Sequence, residues 1–359
     1  MALTAITFLL PPIIIGILYA NSFYYNRRLT EYSSYALWTT VLHHLISKVD
    51  TWGVLVIAPQ AEVYISPLDE DFVDDPDMSF KTRPDKEAKG VRIDLALLLH
   101  RPHTKSKSTV LRSISPKSVA DLFRHICGHV FHPPLYDALS IQSTFIALFV
   151  ELKRPVSRHA SIGVWLERIR DTLAMARLQA EQQFDCAVSS KRYKAQKEAW
   201  LIAGTLDTFC VRLIHSDDTL RHRYTPGSYV MYQDRSDEME DDWRKEDDNA
   251  IRTERAALRA AAKDQSRPDA PSVEDLHSFA PPFSDMDIQD YLNTRPAKER
   301  DDFGFQFSVP ALGMRKTDLK SWSKPMRLGS PVANAYMACI REDLNAQVTG
   351  VTRNWGKAP

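Results

Sequence analysis

Two charged residues end an apolar stretch of the chain and could act together in catalysis. The triplet Glu151-Leu152-Lys153 closes residues 144–153, TFIALFVELK, a run that predicts a buried strand. Because side chains alternate along a strand, Glu151 and Lys153 point to the same face. Unpaired charge is costly in a protein interior, so both need a partner or a chemical task there. The triplet is therefore a candidate site, with a structural ion pair as the alternative.

An aspartate interrupts a second apolar run in the same way. Asp94 lies within residues 91–99, VRIDLALLL, which also predicts a buried strand. If the two strands are neighbours, Asp94 and Glu151 converge, and two carboxylates with water suit Mg²⁺ or Mn²⁺. Such an ion would activate a water molecule and hold a phosphate, and Lys153 would balance the developing charge. The alternative for Asp94 is a hydrogen-bonded carboxylate of the core.

The remaining hydrophobic patterns predict the elements that position these residues. A helix with an apolar stripe is followed by three strands, a long helix and a fourth strand, and a short segment after that strand could pair with it as a hairpin. This order predicts an α/β layer architecture. The predicted segments are, in chain order, 29–48, 53–65, 91–99, 144–153, 161–187, 200–214 and 228–232.

Composition divides the chain into four parts. A hydrophobic N-terminal segment, 1–28, precedes the α/β domain, 29–232, which contains an insertion with a helix at 101–142. A charged linker, helical or disordered, follows at 233–278. The C-terminal extension, 279–359, ends in a helix at 332–348.

The N-terminal segment has two interpretations. Residues 1–26 contain no charged side chain, and Arg27 and Arg28 follow at once, which is typical of a membrane anchor with its C-terminal side in the cytoplasm. The Pro11-Pro12 pair in the middle of the segment favours instead a buried or partner-binding segment. A cleaved signal peptide is less favoured, because no basic residue precedes the apolar run.

Charge and cysteine usage limit the functional classes. The chain has 46 Lys and Arg against 46 Asp and Glu, so nucleic-acid affinity would need a local basic patch. One basic run could contact phosphates, or it could be a solvated insertion. The four scattered cysteines predict reduced thiols and an intracellular protein of the nucleus or cytoplasm. The basic run comprises Arg101, Lys105, Lys107, Arg112 and Lys117.

Other common sites find no support in the sequence. Residues 125–132, HICGHVFH, have histidines and one cysteine, but their spacing matches no common structural zinc pattern. A glycine-rich phosphate loop and a G-x-S-x-G nucleophile turn are both absent from the sequence. Nucleotide-binding and serine-hydrolase functions are therefore not indicated.

The pattern Asp94 … Glu151-Leu152-Lys153 resembles that of the PD-(D/E)XK nuclease superfamily. The phrases FVELKRP and VIAPQ are also similar to those of restriction-endonuclease-like proteins in mushroom-forming fungi, and the resemblance covers residues 29–215. It implies a restriction-endonuclease-like core, α-β-β-β-α-β, with a central mixed sheet flanked by helices. It also implies Mg²⁺- or Mn²⁺-dependent cleavage of DNA or RNA.

The resemblance assigns roles residue by residue. It makes Asp94 and Glu151 metal ligands and Lys153 the catalytic lysine. Glu31 on the first helix would be a further acidic metal ligand. Two glutamines on the long helix, Gln179 and Gln183, would help to position metal or substrate.

The sequence departs from the family pattern in two ways. Isoleucine replaces the usual proline before Asp94, and the gap from Asp94 to Glu151 is long. Because the superfamily also includes members that bind without cutting, a non-catalytic module for nucleic acid or protein, with or without a membrane anchor, is the alternative.

Overall fold

The structure is a computed structural model, and it describes the chain in segments. Predictions on residues 1–10, 105–138, 219–248 and 253–282 lie outside the described residues, among them the histidine-rich stretch, the helix of the insertion, the hairpin segment and most of the linker. The described residues are 11–21, 31–47, 49, 54–65, 89–104, 139–156, 160–193, 195–218, 249, 252, 283–298, 300, 304–309 and 319–353.

A six-stranded mixed sheet forms the centre of the molecule, as the α/β prediction required. The strands follow one another across the sheet in chain order, and neighbours are antiparallel except for the third and fourth, which are parallel. The strands are β1 (Leu55–Ile65), β2 (Lys89–Thr104), β3 (Leu139–Lys153), β4 (Glu198–Thr205), β5 (Thr208–His215) and β6 (Met326–Arg327).

Helices cover both faces of this sheet. The first, second and fifth helices share one apolar cluster with one face, and the third covers the other face as the crossover between the parallel strands β3 and β4. The fourth helix packs against the start of the third. The helices are α1 (Pro11–Asn21), α2 (Glu31–Ile46), α3 (Ile162–Ser189), α4 (Asp285–Asn293) and α5 (Pro331–Arg353), with a short 3₁₀ turn at Lys191–Tyr193.

The predicted single strand over residues 200–214 is wrong in one respect, because it is two antiparallel strands. β4 ends at Thr205 and β5 begins at Thr208, and Leu206 adopts a left-handed φ of 54° in the turn. Both turn residues, Leu206 and Asp207, are buried, and Trp38 donates a 2.8 Å hydrogen bond to the Leu206 carbonyl. The only turn residues within the apolar run are Gly204 and Asp207, and they are too few to separate the two strands by pattern alone.

Both ends of the described chain contribute to the same core. Ile13 of α1 is 1% exposed, and it belongs to the cluster that joins α2 to α5. Near the other end, β6 pairs with β5, and Arg327 forms a buried ion pair with Asp207 at 2.7 Å. Strand β6 thus adds the sixth strand of the central sheet, although it lies in the predicted C-terminal extension, 279–359. In the part of the chain that is described, no helix combines the length and the apolar character needed to cross a bilayer.

Candidate functional site

The site lies where strands β2 and β3 separate. Their described ladder runs as far as the pair Leu95 and Val150, and from Glu151 to Lys153 strand β3 continues along β4. The side chain of Asp94 enters the gap, where its Oδ2 accepts a 2.7 Å hydrogen bond from the Leu152 backbone N–H. A carboxylate therefore takes the place that a backbone carbonyl would hold in a continuous ladder.

Strand β1 is also irregular beside Asp94. Pro59 pairs with Leu95 and Ala61 pairs with Ile93, so Gln60 stands opposite Asp94 with a left-handed φ of 50°. A non-glycine residue in this region costs about 1 kcal/mol or more and is found most often near functional sites. No sequence pattern pointed to Gln60, and the only local signal is the proline before it, which suits an edge strand.

Helix α2 contributes a residue that the sequence analysis did not assign to the site. The Tyr35 hydroxyl donates a 2.7 Å hydrogen bond to Asp94 Oδ1, so both carboxylate oxygens of Asp94 are held by protein donors. Glu31 is the first residue of the same helix, four residues before Tyr35. Its side chain lies outside the description, so its role as a metal ligand stays a prediction.

Glu151 is buried, only 5% exposed, and it has two side-chain partners. Lys153 Nζ lies 3.3 Å from Oε1, as expected for residues two apart on one strand face. Gln183 of α3 donates a 2.6 Å hydrogen bond to Oε2 and a 2.9 Å hydrogen bond to the Arg92 carbonyl. One amide group thus joins helix α3 to both of the separating strands.

Burial makes this pair of acids difficult to ionise together. Burial, and to a smaller extent the nearby Asp94 carboxylate, raise the pKa of Glu151 to about 8, against the opposing effects of Lys153 and Gln183. Burial also raises the pKa of Asp94, although its hydrogen bonds and Lys153 act in the other direction. Two carboxylates and one ammonium leave a negative charge, which a shared proton or a bound cation would balance.

Two buried amide oxygens of helix α3 have no donor among the described residues. Gln183 Oε1 is buried without a donor, while the nitrogen of the same amide donates to Glu151 Oε2 and to the Arg92 carbonyl. Gln179 lies one turn earlier on α3, and its Oε1 is buried and unmatched as well. An unsatisfied buried oxygen costs about 1–3 kcal/mol, so both positions favour a ligand that offers a donor or a positive charge.

The oxygen chemistry of the site fits Mg²⁺ or Mn²⁺. Carboxylate and amide oxygens are the hard ligands that these ions prefer, and the excess negative charge favours a cation. Among the described residues no group of three or more His, Cys, Asp and Glu side chains is placed to hold a metal ion. An ion at this site would have Asp94 and Glu151 as its carboxylate ligands, and amide, backbone or water oxygens would have to complete its coordination.

The other residues considered from the sequence do not join this site in the described structure. Arg101 pairs with Ser143 near the opposite end of β2 from Asp94. The rest of the basic run and the histidine-rich stretch lie outside the described residues. Three of the cysteines, Cys186, Cys210 and Cys339, carry free thiols.

Comparisons of the chain with protein-family models, with curated proteins and with solved structures gave no match in any of the three.

Proposed function

We propose that this chain is a metal-dependent nuclease that hydrolyses phosphodiester bonds of DNA or RNA on a restriction-endonuclease-like core. The main support is the convergence of Asp94, Glu151 and Lys153 where strands β2 and β3 separate. The order α2, β1, β2, β3, α3, β4 is compatible with the α-β-β-β-α-β core of that class. The oxygen-rich, negatively charged centre is consistent with a divalent cation.

Each residue has a distinct task in this proposal. Asp94 and Glu151 would hold the ion, which when bound supplies Lewis-acid activation of water and of the phosphate. Lys153 is close enough to Glu151 to keep a positive charge at the centre, where it would stabilise charge developing on the phosphate. Tyr35 and Gln183 would act as positioning residues, because each holds one carboxylate in a fixed orientation.

A cleavage assay tests the proposal. Supercoiled DNA and a structured RNA are incubated with the protein in Mg²⁺, in Mn²⁺ and in EDTA. Lys153→Met keeps the volume of the side chain and removes its charge, and we expect cleavage to fall about 100-fold or more. Lys320→Met is the matched control, since Lys320 is exposed and ends another acid-x-Lys triplet of the sequence, Asp318-Leu319-Lys320. Equal cleavage by wild type and Lys153→Met, or cleavage that is the same in EDTA, would refute the mechanism.

A non-catalytic binding module is the second candidate, and one observation favours it. Each carboxylate oxygen of Asp94 and Glu151 already has a protein partner, so the four carboxylate oxygens are held in place without a metal ion. Calorimetric titration with Mg²⁺ and Mn²⁺ separates the two candidates. A binding site that disappears in Glu151→Gln supports the enzyme. Nucleic-acid binding without any heat of metal binding, unchanged in Lys153→Met, supports the module.

A further inference from the structure

The short helix α1 has two faces with different surroundings. On its inner face Ile13 is buried in the main apolar cluster together with Leu37 of α2. The contact is close at Gly16, where an added Cβ would lie 3.1 Å from Leu37 Cδ1. Ile17 packs partly against the same cluster. This face is therefore committed to the folded domain, and α1 does not extend from the domain as a free tail.

The outer face of α1 is apolar and open to solvent. Four of its side chains are between 37% and 64% exposed, and they follow one another at helical spacing as a single stripe. A contiguous exposed stripe of this kind marks an interaction surface, whereas scattered exposed apolar residues need no explanation. We call these residues the outer stripe: Ile14, Ile15, Leu18 and Tyr19.

The distribution of charge along the sequence indicates what covers the outer stripe. Residues 1–26 have no charged side chain, and the first two charges of the chain are Arg27 and Arg28, shortly after α1 ends at Asn21. Tyr19 lies at the C-terminal end of the stripe and combines an apolar ring with a polar hydroxyl. An uncharged apolar stripe followed at once by two cations complements a bilayer surface with anionic headgroups.

The size of the outer stripe argues against a second copy of the chain as its partner. A standard protein interface buries about 800 Å² on each side. Four partly exposed side chains on an eleven-residue helix provide much less than that. A lipid surface needs no such area, because binding depends on the apolar groups inserted and on the charge attraction.

We infer that α1 docks the protein on anionic membrane surfaces. The helix lies in the plane of the interface, with the outer stripe at the boundary of headgroups and acyl chains. Arg27 and Arg28 lie outside the described residues, and they enter the inference only as two positive charges of the sequence that attract anionic headgroups. Because the inner face is packed on α2, the folded domain sits directly on the lipid. This inference is independent of the proposed nuclease activity, since α1 contributes no residue to that site.

Vesicle co-sedimentation of the full chain tests the inference. The probes are vesicles of phosphatidylcholine alone and of phosphatidylcholine with phosphatidylserine, in metal-free buffer. We expect the wild type to prefer the anionic vesicles. Ile15→Asp should weaken that binding about 10-fold or more, from loss of one inserted side chain. Exchanging Arg27 and Arg28 together for Gln should weaken it roughly 20-fold, and added salt should have a similar effect.

The matched control is Leu178→Asp on α3, which is 41% exposed and lies away from the outer stripe. It should leave vesicle binding unchanged, and circular dichroism confirms the fold of each variant. Equal binding to both kinds of vesicle, or equal loss in Leu178→Asp and Ile15→Asp, would overturn the inference. A dimer that Ile15→Asp converts to a monomer, without vesicle binding by the wild type, would assign the stripe to a second copy instead.

Discussion

The hydroxyl of Tyr35 donates a 2.7 Å hydrogen bond to Asp94 Oδ1, and this contact joins helix α2 to the point where β2 and β3 separate. The other oxygen of Asp94 is held by the backbone of Leu152. The two contacts fix the orientation of the carboxylate from both sides. Hydrogen bonds of this kind set the orientation and the basicity of a carboxylate that binds a metal ion, because they occupy some of its lone pairs.

Removing the hydroxyl in Tyr35→Phe should therefore weaken both the fold and metal binding. A hydrogen bond to a charged acceptor contributes about 1.5–3 kcal/mol, so we expect a loss of about 2 kcal/mol in the free energy of unfolding. Urea titration and Mg²⁺ calorimetry measure the two effects. Tyr336→Phe is the control, because that hydroxyl donates at 3.2 Å to the neutral amide of Gln306 and should cost less. Equal effects of the two substitutions would contradict the prediction.

The stability of the metal-free protein should depend on the ionisation of Glu151. Its pKa in the fold is about 8, against an ordinary value of 4.5, so the folded state binds this proton more tightly than the unfolded state. The stabilisation is fully present below pH 4.5, and the free energy of unfolding should decrease as pH rises from 4.5 to 8, by at most about 1.4 kcal/mol per pH unit. Urea titrations in EDTA across this range measure it.

Glu151→Gln provides the control for the pH dependence, because the amide has no ionisation in this range. Its stability should vary less with pH than that of the wild type. If the free energy of unfolding of the wild type instead rises or stays level between pH 4.5 and pH 8, in parallel with that of the variant, the pKa of Glu151 is not raised by burial and the prediction is wrong.

Two ion pairs of the protein should differ strongly in their contribution to stability. The side chains of Arg327 and Asp207 are 11% and 8% exposed, whereas those of Arg92 and Glu62 are 61% and 43% exposed. Arg327→Met would leave an unpaired buried carboxylate, so we expect a loss of about 3–5 kcal/mol. Arg92→Met should cost about 1 kcal/mol or less. Thermal and urea unfolding of both variants provide the comparison, and similar losses would be inconsistent with it.

The thiol of Cys210 should be unreactive in the folded protein. Burial raises its pKa to about 11, and the nearby Arg177 only partly offsets that effect. Because the thiolate is the reactive form, a disulfide reagent should not modify Cys210 at neutral pH. Native time courses of the wild type and of Cys210→Ser should coincide, and in urea the wild type should show one more reactive thiol. A fast native phase that Cys210→Ser removes would disprove the prediction.

Much of the site could be predicted because its charged residues interrupt apolar runs. Asp94, Glu151 and Lys153 each occupy a strand position where burial alone would favour a hydrophobic side chain. The helix at Glu31–Ile46 and the strand at Leu55–Ile65 also lie close to their predicted bounds, since periodicity determines both. The structure brings the three charged residues together, and their chemical roles remain proposals.

The remaining features depend on contacts between distant parts of the chain. Tyr35 is one member of an apolar helix stripe, and only the position of Asp94 shows that its hydroxyl has a separate task. Strand β6, Met326–Arg327, is too short for any periodicity to reveal it. Gln60 acquires its left-handed backbone from the irregular pairing beside Asp94, and its side-chain type gives no indication of that.

Helices α2 and α5 lie near opposite ends of the described chain, yet their apolar faces close the same cluster. During synthesis the ribosome delivers α2 early and α5 late. The part of the apolar face of α2 that packs against α5 therefore stays exposed until the residues from Pro331 onward have left the ribosomal exit tunnel. Nascent chains of this protein would be clients for chaperones throughout that interval, and folding would be completed only near the end of translation of this region.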